Sequence, residues 1–150
     1  MRKFEDLKEI TGLLSRMEER RRIALEASYT GIWDWDIISG DLYWDDPMFK
    51  IYDTPKGEFE NSYDAWKSRL HPDDLTNIEE EIEKCLTNPS YRYFFRFRVL
   101  HKDEWRWVVG VGSCVWERGK AIRMTGINIL ENKDVGFRCP IMNARCPITP

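Results

Sequence analysis

The sequence predicts an α+β fold: a five-stranded antiparallel sheet with helices on one face, preceded by an N-terminal amphipathic helix. Three features of the 150 residues predict it. Apolar residues recur at steps of three and four through the first 28 positions, the spacing of a helix face. Helix start and stop signals crowd between Asp46 and Pro89. On either side of that stretch the apolar period is two, the alternation of a strand with one buried face.

In the first helix the row is Leu7, Ile10, Leu14 and Met17, with Arg21 and Ala24 continuing it as poorer core residues. Charged residues, including Glu18-Glu19-Arg20-Arg21-Arg22, fill the other faces, and Gly12 weakens the helix. A seam of about two to three heptads can pair with a second copy as a short coiled coil. The alternative is a helix lying on its own domain, and dimerisation is the preferred reading. Thr30-Gly31 breaks the helix, and Ile32-Trp33-Asp34-Trp35-Asp36-Ile37 alternates as a strand. Ser39-Gly40-Asp41 turns into a second strand at Leu42-Tyr43-Trp44, which makes a hairpin.

Asp46-Pro47 opens a short helix carrying Met48, Phe49, Ile51 and Tyr52. Ser62 caps another, with Tyr63, Trp66 and Leu70. His71-Pro72-Asp73-Asp74 starts the longest internal helix, where the two acids suit the positive end of the dipole. Its apolar face is Leu75, Ile78, Ile82, Cys85 and Leu86, and Asn88-Pro89 ends it. Tyr91 to Leu100 then alternates, with arginines mostly outward. Lys102-Asp103-Glu104 turns into a strand with Trp105, Trp107, Val109 and Val111 on one side. Arg118-Gly119-Lys120 turns into a last strand that ends at Leu130, which completes a meander.

Composition narrows the function classes. Seven Trp, seven Phe and six Tyr supply a large apolar core for a single domain. A net charge of −3, from 23 basic and 26 acidic residues, gives no reason to expect nucleic acid as a partner. No apolar run is long enough to span a bilayer, and the charged N-terminus is unlike a signal peptide. No membrane partner is therefore expected, the expected compartment is the cytoplasm, and the four cysteines are expected to be free thiols.

Several segments, taken in order, resemble the PAS superfamily, in its branch with a tryptophan-rich first strand and a His-Pro-Asp-Asp helix start. They are Gly31 to Ile37, Ser39 to Trp44, Trp66 to Asp74, Phe97-Arg98, Arg106-Trp107-Val108 and Gly126-Ile127-Asn128-Ile129. The resemblance implies a sensory or regulatory module rather than an enzyme. It would bind a small ligand or dimerise to control an output domain, such as a histidine kinase or a cyclic-dinucleotide enzyme. The alternative is a ligand-free interaction module. Two departures stand out. The turn that usually carries Asp-Gly reads Asp103-Glu104, and the usual Asp-Ile-Thr ending reads Asn128-Ile129-Leu130. The resemblance makes these last three residues the signal exit.

The expected site is an aromatic pocket between sheet and helices. Trp33, Trp35, Phe95, Phe97 and Trp107 would converge there, with Phe49, Tyr52, Cys85 and Val109 as further candidates. Such a lining suits a small apolar or planar ligand, while a simply filled core is the competing reading. No catalytic or metal-binding set is expected. His71 reads as a cap or packing residue in preference to a haem ligand. Asp73 and Asp74, being adjacent, do not face each other as an acid–base pair would. Lys84-Cys85-Leu86 lacks the Asn-Cys-Arg-Phe-Leu run of flavin-binding relatives, so the cofactor is left unknown. The expected division is helix 1–28, domain 29–130 and a linker or tail 131–150. The tail holds Cys139-Pro140 and Cys146-Pro147; such pairs ligate haem in some regulatory segments, and a linker is preferred here.

Overall fold

The computed structural model describes residues 1–131, so the Cys-Pro pairs of the tail lie outside the described residues. Helix α1 (Arg2–Ala27) runs unbroken through Gly12. Leu, Glu, Arg and Ala favour the helical backbone throughout it. It ends where the Ser28 hydroxyl donates to the Ala24 carbonyl at 2.9 Å and Tyr29 takes a positive φ of 54°. None of its residues is buried, and only Arg21 and Leu25 near its end are half-buried, so most of α1 stands clear of the domain.

The strands are β1 (Thr30–Asp36), β2 (Leu42–Trp44), β3 (Tyr93–His101), β4 (Glu104–Glu117) and β5 (Lys120–Leu130). They form one antiparallel sheet in the order β2-β1-β5-β4-β3. The first strand pairs with the last, which places Thr30 opposite Ile129.

Helices α2 (Asp46–Ile51), α3 (Tyr63–Lys67) and α4 (Leu75–Thr87) fill the crossover between β2 and β3. Asp45 caps α2 by accepting from Met48 N–H at 3.1 Å, and Ser62 caps α3 by accepting from Ala65 N–H at 3.1 Å. These caps satisfy N–H groups that a helix leaves without partners. Pro72–Asp74 is a separate 3₁₀ turn, so α4 begins one turn later than the sequence suggests. Within that turn Asp74 N–H bonds the His71 carbonyl at 3.0 Å, and the His71 ring accepts from Asp73 N–H at 3.1 Å. His71 is thus a cap, its ring edge-on to Trp105. Asp74 turns away from the helix axis and clasps β3. It accepts from the Arg98 backbone N–H at 2.8 Å and from the Arg98 guanidinium at 2.8 and 3.0 Å.

The core lies between the helices and one face of the sheet. From the sheet it takes Trp33, Leu42, Trp44, Tyr93, Phe95, Phe97 and Val99; from the helices Met48, Ile51, Trp66, Ile78, Ile82 and Cys85. Fully burying one side chain such as Phe97 contributes about 1.5–3 kcal/mol.

The β3–β4 connection sets which residues reach this core. His101 pairs with Glu104, so the turn is only Lys102 and Asp103, both at positive φ (48° and 61°). That is the type I′ pattern, which matches the twist of its strands. Glu104, expected in the turn, is already in the strand. Phe97 then faces Val108 and Phe95 faces Gly110, while Arg98 faces Trp107 and Arg96 faces Val109.

Candidate functional site

A small cavity of about 40 Å³ lies between the sheet and the helices. Strands β1 and β2 give Trp33, Trp35, Leu42 and Trp44 to its wall; the helices give Met48, Trp66 and Ile82; and β3 and β5 give Tyr93, Met124 and Asn128. One buried water needs roughly 10–15 Å³ measured this way, so the cavity has room for about three.

The Trp33 ring lies against Gly112 and Gly126 of the sheet, where an added Cβ would sit 2.7 Å from it. Only glycine lets so large a ring approach the sheet this closely.

A chain of four side chains crosses the core beside the cavity. Trp33 Nε1–H donates to Asn128 Oδ1 at 3.0 Å. Asn128 Nδ2 donates to the Tyr52 hydroxyl oxygen at 2.9 Å, and Trp66 Nε1–H donates to the same oxygen at 2.9 Å. The indole of Trp33 offers only a donor, which fixes the orientation of the Asn128 amide. Tyr52 therefore accepts twice, and its own O–H hydrogen is left over. Burial holds its phenol well above the usual range, against the opposing pull of the two donated bonds. Trp35 Nε1 and Trp44 Nε1, both on residues of the cavity wall, have no hydrogen-bond partner among the described residues. The site is thus rich in donors and poor in acceptors.

The sequence-based candidates separate accordingly. Trp33 and Trp35 line the cavity. Phe95 and Phe97 face inward and are buried as packing. Phe49 packs edge-on against Trp44 and Phe59, and Tyr52 serves through its hydroxyl. Cys85 is buried against Cys114, with the sulfurs 3.1 Å apart.

Trp107 and Val109 do not face the cavity. The two-residue turn puts even-numbered residues of β4 opposite the inward, odd-numbered residues of β3, so both lie on the far face of the sheet. There the guanidiniums of Arg96 and Arg98 stack over Trp107, 3.8 and 5.0 Å from the ring centroid, a cation–π arrangement. The inward positions are held by Val108, Gly110, Gly112 and Cys114.

Sequence reasoning missed Trp44, Trp66 and Asn128 as wall residues. The alternation of Leu42 and Trp44 opposite Trp33 and Trp35 was a usable signal for the first. Nothing local marks Asn128 as interior.

At the expected exit, Asn128 points into the core and is 3% exposed, while Ile129 and Leu130 are half-buried. Leu130 N–H bonds the Tyr29 carbonyl at 3.1 Å, which ties the end of β5 to the residue after Ser28 at the end of α1. Glu131 continues this junction with a two-pronged ion pair to Arg96 at 2.8 and 3.0 Å.

The family profile of the PAS fold matches residues 41–128. The chain belongs to the PAS family. It is 28% identical over 127 residues to the probable diguanylate cyclase DgcE of Escherichia coli (strain K12), across 84% of this chain. It spans 11% of that relative's length. The PAS fold is shared with a sensory box histidine kinase/response regulator from Burkholderia thailandensis, at TM-score 0.64 and 22% identity over 77% of this chain and 87% of the other. It is also shared with the N-terminal domain of a diguanylate cyclase with a PAS/PAC sensor from Marinobacter aquaeolei, at TM-score 0.60 and 19% identity over 67% and 94%. Both of these proteins thus carry a domain of the same fold as this chain. Among the described residues, no helix is long and apolar enough to cross a membrane.

Proposed function

We propose that this PAS domain is a cytoplasmic regulatory module that dimerises through α1 and passes the state of its core to an output domain. The output would be a histidine kinase or a cyclic-dinucleotide enzyme. The observation that carries the reading is the apolar row of α1. Leu7, Ile10, Leu14 and Met17 are 61%, 54%, 60% and 53% exposed at heptad spacing, and nothing in the domain covers them. A second copy of the same helix covers such a row by knobs-into-holes packing. The root of α1 is bonded to the end of β5, so a shift of β5 reaches the helix pair directly. Native mass spectrometry tests this. A dimer is expected for the chain as it stands, and a monomer for Leu7→Glu combined with Leu14→Glu. A monomer for the unaltered chain would sink the reading.

A second reading concerns the cavity. Its size, about 40 Å³, favours interaction over ligand sensing, and a planar cofactor has no room in it. The unpartnered indole donors of Trp35 and Trp44 favour one narrow class of ligand, a small hydrogen-bond acceptor such as a short carboxylate. A thermal-shift comparison of formate, acetate and benzene separates the cases. Stabilisation by the carboxylates supports this ligand class, and stabilisation by benzene restores the apolar ligand expected from sequence. No shift with any of them leaves the ligand-free module as the reading.

A further inference from the structure

Two thiols outside the cavity wall meet where α4 crosses the sheet. Cys85 is on the inward face of α4 and is fully buried; Cys114 is on the inward face of β4 and is half-buried. Their sulfurs are 3.1 Å apart, and the Cys85 thiol also lies 3.8 Å from the Tyr91 carbonyl. A disulfide bond is about 2.05 Å long, so closing it needs the two sulfurs to approach by roughly 1 Å. We propose that Cys85 and Cys114 are an oxidative modification site, closed to a disulfide by a hydroperoxide and reopened by a thiol reductant.

Cys114 is the less buried of the two. Its thiolate attacks a peroxide oxygen, forming an S–O bond as the O–O bond breaks and hydroxide leaves; sulfur is oxidised and the peroxide reduced. Cys85 then attacks the sulfenic sulfur, forming the S–S bond and releasing water with the Cys85 proton. Two thiols and one hydrogen peroxide thus give one disulfide and two waters. Burial and the adjacent Cys85 push the Cys114 thiol up to about 12. The first step is therefore slow at neutral pH. Once closed, it staples α4, whose Ile82 forms part of the cavity wall, to β4.

The test uses the full chain, reduced and then held in hydrogen peroxide, alkylated, cut with trypsin and mapped by mass spectrometry. The expected product links peptide Cys85–Arg92 to peptide Trp107–Arg118, disappears on treatment with dithiothreitol, and comes from protein that runs as a monomer on a non-reducing denaturing gel. Closure is expected to raise the melting temperature by about 5 °C. Recovery of both peptides unlinked, while Cys139 or Cys146 is oxidised, would overturn the proposal. So would a product with Cys114 oxidised to sulfonic acid and no link. The Cys114→Ser variant should lose the linked peptide and the temperature rise. Because the mapping is made on the unaltered chain, a variant that fails to fold does not affect the outcome.

Discussion

Asn128 shows how one side chain can join a core to its exit. It accepts from Trp33 and donates to Tyr52 inside the core, two residues before β5 ends. Asn128→Ala leaves the Trp33 indole N–H without an acceptor, and the expected cost is about 1–3 kcal/mol in chemical denaturation. Asp74 is the matching case among charged groups. Burial alone would raise its carboxyl, but hydrogen bonds from the Arg98 side chain and backbone outweigh it and hold the group below its ordinary value. A depressed carboxyl contributes stability that is fully present above the unfolded value of about 3.9 and is lost as pH falls through the lower folded value. Stability should therefore drop more steeply below about pH 4 in the unaltered protein than in Asp74→Asn, as followed by urea denaturation from pH 7 to pH 3. The sequence announced Asp74 through its His-Pro-Asp-Asp setting but suggested a helix-dipole role. The clasp on Arg98 needed β3, 24 residues away.

Among the elements, the β3–β4 turn decides the most. Lys102 and Asp103 both hold left-handed backbone without glycine, a conformation costing an ordinary residue roughly 1–2 kcal/mol. Replacing the pair by Asn-Gly, the sequence that type I′ turns favour, should stabilise the domain by about 1 kcal/mol in the same denaturation assay. A loss of stability would show that Lys102 and Asp103 make contacts that offset their strain. The same turn explains why Trp107 and Val109 were misplaced. Their alternation was plain in the sequence, but alternation does not say which face is inside. That followed from a two-residue turn in place of the three-residue one the sequence suggested. The helices were legible because the Asp46-Pro47 start, the Ser62 cap and the apolar spacing are local signals.

On the scale of the whole molecule, α1 and the domain are separable in energetic terms. No residue of α1 is buried, so the helix adds little to the stability of the domain in a single chain. A chain lacking residues 1–28 should unfold within a few degrees of the full chain's domain transition and sediment as a monomer. A chain lacking α1 that fails to fold would mean that the helix supports β1. The closure of β1 against β5 is the long-range step on which everything else depends. It brings the sheet side of the cavity wall, the exit and the root of α1 together.

The sequence by itself determined the elements, their order, the α1 heptad row and the aromatic stock of the core. Each of these rests on residues a few positions apart, where periodicity and capping act. Tertiary structure alone decided three further things: that the cavity would be as small as about 40 Å³, that Asn128 would bridge Trp33 and Tyr52, and that Cys85 would meet Cys114. Those depend on strand register and on the volume left after large side chains interdigitate. Both are properties of surfaces brought together from distant parts of the chain, and no local pattern encodes them.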